Sequence, residues 1–359
     1  MTTIPTTQKS LVLPAEGSPY TVVETAVPHP GPDDVLVKIA ATGINPFEWK
    51  VTTPIFSWLI PGYPFITGTD GAGVVVEVGE NVSNFKTGDR IVFQGFMKEN
   101  AQATFQQYAI TTAALAAHLP ESVSFDAAAT LPATFGTAAL IFFNPYAETE
   151  CLGLKPFWEE GGKGAYAGKP IFIVGGATSL GQYSIQLAKL SGFSPIITTA
   201  SPHNAALLTE LGATHVVDRS LSADAVLAEV LKVAAGKPFE VAMDAISSPE
   251  TQSIAYQVLA PGGALALSLP DQISAELKKD GDAKRIVFIH GSVHLPQHRK
   301  IGGEIFARLT GWLEQGVVKP NAFEVLPDGL AGIVGGLERL KNNQVSAKKL
   351  VARPQETPA

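Results

Sequence analysis

The stretch Pro170-Ile-Phe-Ile-Val-Gly175-Gly176-Ala177-Thr178-Ser179-Leu180-Gly181-Gln182 constrains this chain more than any other. An apolar run feeds a glycine-rich turn, and an amphipathic stretch follows. Apolar residues without alternation suit a strand buried on both faces. A glycine turn opening a helix aims backbone N–H groups and the helix dipole at an anion, above all a dinucleotide pyrophosphate. The usual spacing is Gly-x-Gly-x-x-Gly. Here Gly176 and Gly181 hold the first and third places and Thr178 the second. The residues expected against a coenzyme are Gly175, Gly176, Ala177, Thr178, Ser179, Leu180 and Gly181. A tight strand–helix turn without a ligand is the plainer alternative.

The surroundings favour the coenzyme. Strands are predicted at 170–174, 194–199, 214–217, 240–244, 263–267 and 285–290, with helices near 179–191, 202–212, 221–235 and 249–258. Such alternation implies right-handed βαβ units and an α/β fold with a doubly wound parallel sheet. The first 130 residues read differently. Val35–Ile39 alternates as a half-buried strand does, 73–79 and 90–93 are further strands, and proline and glycine recur every few residues. That pattern favours a partly open β-barrel. Phe125 to Leu140 is alanine-rich with helical spacing, and 303–315 reads as another helix. Residues 144–168 fit neither pattern and are expected to form a long surface loop. Arg353 to Ala359 is expected to be a disordered tail.

The second strand bears on the choice of coenzyme. A carboxylate about 20 residues past the turn binds the ribose hydroxyls of NAD. From Ala177 through Thr209 there is no Asp or Glu, and the strand end reads Thr199-Ala200-Ser201-Pro202-His203-Asn204. Ser201, His203 and Asn204, with Arg219 after the third strand, suit a 2′-phosphate, so NADPH is the expected cofactor. Ser201 and Asn204 also suit a helix cap, and one residue can do both.

Composition excludes other classes. The formal net charge of −7 gives no electrostatic reason to hold nucleic acid. The single cysteine, Cys151, rules out an internal disulfide and a cysteine-rich zinc lobe. The opening MTTIPTTQKS has no apolar signal segment. The richest apolar stretch, Ile254 to Leu269, is interrupted by Pro261, Gly262 and Gly263, so no membrane span is expected and the cytoplasm is the expected location.

Several motifs together resemble the medium-chain dehydrogenase/reductase superfamily. They are Gly43-Ile-Asn45-Pro46-Phe-Glu48-Trp49-Lys50, Pro64 through Gly79, Gly88-Asp89-Arg90-Ile-Val, Leu131-Pro132-Ala133-Thr-Phe-Gly-Thr137-Ala138, and the glycine turn. The chain is most similar to its quinone oxidoreductase-like branch and to fungal trans-acting enoyl reductases. The resemblance implies a GroES-like catalytic domain, 1–130 together with 310–359, and a Rossmann domain, 131–309, with the active site between them. It also implies that Ala245 and Ile246, and Leu267, Ser268 and Leu269, line the coenzyme at two strand ends. Zinc-dependent relatives carry their ligands at positions that here hold Asn45, Thr69 and Ala133. Amide, hydroxyl and methyl groups do not replace thiolate and imidazole, so no metal is expected.

Without a Lewis acid, the expected reaction is NADPH-dependent reduction of an activated C=C bond or a quinone. A stand-alone enoyl reductase serving a polyketide synthase partner is a second reading, and an NADPH-binding regulatory protein a third. The resemblance puts Asn45, Lys50 and Thr137 near the nicotinamide or a small-molecule substrate. Lys50 either faces a substrate carbonyl or is a surface lysine. Asp70 is expected to be structural, tying a loop or pairing with Lys50. The apolar edge strand Val287–Ile289 suggests a homodimer. His290, His294 and His298 fall four apart, but Gly291 and Pro296 are expected to break any helix there. Met243 is expected in the core. Trp49 and Trp58 line a cleft or simply pack, and Trp158 caps an entrance or serves an interface.

Overall fold

The computed structural model describes residues 4–147, 149–279, 281–288 and 290–358. The chain forms two compact units, Met1–Gly136 with Ser292–Ala359, and Thr137–Gly291.

The first unit is β-rich. Its N-terminal part supplies β1 (Thr7–Leu13), β2 (Thr21–Ala26), β3 (Asp34–Ile44), β4 (Phe65–Ile66), β5 (Asp70–Val78), β6 (Arg90–Gln94), β7 (Tyr108–Thr112) and β8 (Ala116–His118). A short helix, α1 (Phe47–Lys50), follows β3, and α2 (Phe125–Ala128) and α3 (Pro132–Phe143) follow β8. Strand β3 is long because Val35, Val37 and Ile39 face one apolar cluster with Val75, Ile91 and Phe93, while Leu36 faces another with Tyr108 and Ile110. Both faces being covered, the alternation expected from the sequence becomes a strand buried on two sides.

The second unit holds β9 (Ile171–Val174), β10 (Ile196–Ala200), β11 (His215–Asp218), β12 (Phe239–Asp244), β13 (Leu259–Leu267) and β14 (Arg285–Phe288). Between them run α4 (Ser179–Ser191), α5 (Ala205–Leu211), α6 (Ala223–Ala234) and α7 (Pro249–Val258). The order is β11-β10-β9-β12-β13-β14, all parallel. The order reverses between β9 and β12, which places the switch point of the doubly wound sheet beside the glycine turn that follows β9. Met243 is fully buried in this sheet, as expected. Ile289, within the expected 285–290 strand and at the end of the expected edge Val287–Ile289, lies outside the described residues.

The chain then returns to the first unit with α8 (Pro296–Glu314), β15 (Ala322–Val325), α9 (Gly332–Lys341) and β16 (Lys348–Ala352). Strand β16 pairs antiparallel with β3, Leu350 opposite Ile44.

Five sequence expectations need correction. The returning segment begins at Ser292, not 310, because α8 packs on β8 and starts at Pro296. Proline suits the first helical position, where its missing N–H is not needed, so Pro296 starts a helix that carries His298. The loop expected at 144–168 lies at the surface only in part: 159–161 and 163–165 are exposed, but its middle is anchored inside. Cys151, Leu152, Leu154 and Phe157 are buried, and Phe143, Phe157 and Trp158 stack edge to face. Trp158 is partly buried against Phe143 and Phe157. The C-terminal tail is tied down through Pro358: Arg353 pairs with Asp126 at 2.8 Å, Thr357 Oγ1 accepts from Leu330 N, and Lys9 donates to the Pro358 carbonyl. Finally, the apolar stretch with the length and composition of a span is Phe125–Phe143, not 254–269, and 67% of it is buried inside the protein.

Candidate functional site

In the first unit, the end of β3 and the start of β5 lie side by side, Gly43 opposite Asp70. This puts Asn45, one residue past β3, against Thr69 and Asp70. Asn45 Nδ2 donates to Asp70 Oδ2 at 2.6 Å and to Thr69 Oγ1 at 3.0 Å. Helix α1 turns Glu48 back, so that its Oε2 accepts the Asn45 backbone N–H at 2.6 Å and its Oε1 accepts the Thr69 hydroxyl at 2.9 Å. The Ala133 N–H donates to Asp70 Oδ1 at 2.6 Å. From β16, Lys349 brings its ammonium to Asp70 Oδ2 at 2.6 Å. Gly43 makes room for that side chain: a Cβ there would stand 3.0 Å from Lys349 Cε and 2.1 Å from the Ala129 carbonyl.

Glu48 and Asp70 have no exposed surface, and Lys349 is 3% exposed. Two buried carboxylates therefore share one ammonium. Burial, then the Asp70 charge, push the Glu48 carboxyl up to about 7, against the opposing pull of Thr69, Lys349 and the Asn45 N–H.

The expected pairing of Asp70 with Lys50 is thus wrong; its partner is Lys349. Lys50 is half-buried, with its ammonium 5.7 Å from the centre of the Trp49 ring, and burial lowers its proton affinity. Trp49 packs against the apolar cluster of Ile44, Leu337 and Leu350, whereas Trp58 is 66% exposed. The three positions where relatives carry zinc ligands do converge, but on Asp70. Asn45 and the Ala133 backbone are donors to it, not ligands, and Lys349 already neutralises it. That donor set does not fit zinc. Among the described residues no group of three or more His, Cys, Asp or Glu is placed to hold a metal. His294 is buried, its ring pushed down to about 4 by burial and bonded through Nε2 to the Gln94 carbonyl, while His298 Nδ1 meets the Ser292 carbonyl.

In the second unit, Gly175 adopts φ +76°, and a Cβ there would stand 2.6 Å from Ile246 Cγ1. A Cβ on Gly181 would lie 2.3 Å from the Gly175 carbonyl, which is why the third glycine of the turn is kept. Thr178, in the second place, caps α4. Its Oγ1 accepts from Gly181 N at 2.9 Å and donates to the Gly175 carbonyl at 2.9 Å. A hydroxyl has replaced a glycine without losing the turn. Thr199 fixes the turn from β10, accepting from Gly175 N at 3.0 Å through its hydroxyl and from Gly176 N at 3.0 Å through its carbonyl. The N–H groups of Ser179 and Leu180 face out of the first turn of α4, beyond reach of any intrahelical acceptor.

At the end of β10, Arg219 Nε donates to Ser201 Oγ at 2.9 Å. His203 is exposed, but Asn204 is 7% exposed and turned inward, which removes it from the rim where it was expected. A small depression at the C-terminal ends of β9 and β10 is lined by Val174, Thr199, Arg219, Leu221, Glu250 and Thr251. At the ends of β12 and β13, the N–H of Ser268 donates to Ser247 Oγ at 2.9 Å. The Leu267 side chain belongs to the core, so only the backbone of that residue can face a ligand. Thr137 Oγ1 donates to the Gly291 carbonyl at 3.2 Å. Sequence reasoning missed Glu48 and Lys349 as members of the first-unit cluster, and it missed Asp244.

Comparison with known proteins identifies the family. Residues 31–133 match the alcohol dehydrogenase GroES-like domain, and residues 179–268 match the family described as zinc-binding dehydrogenase. A trans-enoyl reductase of Gibberella fujikuroi is 29% identical, over 92% of this chain and 94% of its own. A dehydrogenase of Monascus pilosus is 30% identical, over 98% of each. Among solved structures, an alcohol dehydrogenase superfamily protein from Novosphingobium aromaticivorans superposes with a TM-score of 0.78 at 23% identity, covering 96% of this chain and 98% of its own.

Proposed function

The chain belongs to the medium-chain dehydrogenase/reductase superfamily of oxidoreductases, and from that premise we propose that it is an NADPH-dependent, zinc-independent reductase of an activated C=C bond or a quinone. The observation that carries the proposal is the replacement of a zinc ligand set by the Asn45–Thr69–Asp70–Lys349 network, in which the Asp70 carboxylate is already paired with an ammonium. Carbonyl reduction needs a strong electrophile. Hydride addition to a conjugated double bond leaves an enolate, which hydrogen-bond donors can stabilise.

The coenzyme supplies hydride when bound. The N–H groups of Ser179 and Leu180, at the positive end of α4, hold its pyrophosphate. Ser201 and Arg219 meet the 2′-phosphate, and Ala245, Ile246, Ser268 and Leu269 line its path. Glu250, in the same depression as Arg219, tempers the preference for a second phosphate. Lys50 carries no ion pair among the described residues and donates to the substrate oxygen. Asn45 is held rigid by its own hydrogen bonds, and Thr137 by its bond to the Gly291 carbonyl.

The trans-enoyl reductase relative supports an enoyl acceptor, and we carry over from the sequence resemblance a thioester-bound substrate and a polyketide synthase partner. We place the enzyme in the cytoplasm as a homodimer formed through edge strand β14; a solution mass near that of one 37.7 kDa chain contradicts the dimer. The test of function is NADPH oxidation against free enals, enones and quinones and against an acyl-thioester enoyl substrate, with zinc measured on the same sample. Turnover of at least one acceptor at well under one zinc per chain is expected. Stoichiometric zinc lost together with activity overturns the proposal, and coenzyme binding without any turnover favours a regulatory role.

A further inference from the structure

We propose that Asp244 and Ser247 form a clamp that positions the coenzyme-facing turns after β12 and β13, an inference that rests on the coenzyme reading above. Asp244 ends β12 and has no exposed surface. Its Oδ1 accepts two backbone N–H groups, from Ile246 at 2.9 Å and from Ser247 at 2.8 Å. Those two bonds bend the chain back on itself and hold Ser247 at φ +56°, a left-handed conformation that a serine adopts only when its surroundings impose it.

The forced turn has two consequences. It leaves Ile246, 40% exposed, against the bare Cα of Gly175, so the β12 turn and the glycine turn touch directly. It also swings Ser247 Oγ to a point where it donates to the Asp244 carbonyl at 3.0 Å and accepts the Ser268 N–H at 2.9 Å. Ser247 thereby ties the end of β13 to the end of β12. Two strand ends expected to line the coenzyme are fixed by one buried carboxylate that itself faces no ligand.

The second oxygen, Oδ2, is buried and makes no hydrogen bond. The nearby Thr251 hydroxyl is committed to Ser248. Burial raises the proton affinity of this carboxyl, opposed by the N–H groups of Ser247 and Ile246.

The experiment is a fluorescence titration of the purified full chain with NADPH, with steady-state kinetics and thermal melts beside it. Asp244→Ala is expected to weaken NADPH at least tenfold and to raise the KM for coenzyme more than it lowers kcat. Asp244→Asn keeps the Oδ1 acceptor and is expected to bind within about threefold of the unmodified protein. Ser247→Ala removes the hydroxyl's links to Ser268 and to the Asp244 carbonyl but keeps the backbone bonds to Asp244 Oδ1, and should weaken NADPH at least threefold with little change in melting temperature. It keeps the clamp testable if Asp244→Ala does not fold. Alanine variants that melt lower yet bind NADPH normally would reduce the clamp to a fold element and overturn the inference. An unmodified protein that binds neither NADPH nor NADH overturns the coenzyme reading, and the clamp with it.

Discussion

Lys349 and Asp70, 279 residues apart in sequence, stand 2.6 Å apart in the folded protein, both almost wholly removed from solvent. A buried ion pair gains little over an apolar replacement, but losing one member leaves an uncompensated charge. Lys349→Met is therefore expected to destabilise the protein by about 3–5 kcal/mol. The double variant Asp70→Asn with Lys349→Met should recover a good part of that loss. Urea denaturation of both variants measures it; strictly additive effects would show that the two groups are not coupled.

Glu48 makes stability depend on pH. Its folded carboxyl is raised to about 7 from an ordinary value of 4.5, so the folded state holds the proton more tightly than the unfolded chain. The resulting stabilisation is complete below about 4.5 and is lost as pH rises through about 7. At 1.36 kcal/mol per pH unit, the whole effect is at most about 3 kcal/mol. Glu48→Gln should flatten this slope, gaining on the unmodified protein between pH 5 and 8 as read by denaturation midpoints. Parallel pH profiles would mean that Glu48 is ionised throughout.

Coenzyme preference tests the reading of the second strand. NADPH should be favoured over NADH by at least about tenfold, or about 1.4 kcal/mol, which one or two charge-assisted bonds can supply. Ala200→Asp should move preference toward NADH, mainly through the Michaelis constant, because the 2′-phosphate lies far from the transferred hydride. Arg219→Ala should weaken NADPH and spare NADH. Equal dissociation constants for the two coenzymes in the unmodified protein would refute the assignment.

The parts legible in the sequence were those written in local patterns. The apolar run 171–174, the glycine turn and the spacing of the helices after it specified the doubly wound sheet, because each βα unit is built from neighbours in sequence. Asn45, Thr69 and Ala133 could be compared with a zinc ligand set for the same reason. Glu48 and Lys349 gave no such signal. Glu48 looked like one acid in a short helix, and Lys349 finds its partner only when β16 lays itself along β3. The loop 144–168 was legible only in part: its glycine-rich half meets solvent as expected, while the apolar side chains before it fold inward over Phe143. Asp244 carried a weak sign: an acid at a strand end, followed by serine three residues on, is a common way to bend a turn.

The division of the first unit into two chain segments sets an order of assembly. The ribosome delivers Glu48 and Asp70 long before Lys349, and the whole of Thr137–Gly291 is made in between. That second unit, built from neighbouring strands and helices, can fold on local contacts while the first still lacks β16. Until β16 docks, the two acids have no counter-ion and the surface around them stays wet. The charge cluster therefore closes late, and a nascent chain halted before Lys349 should carry a finished coenzyme domain beside an open, protease-sensitive barrel.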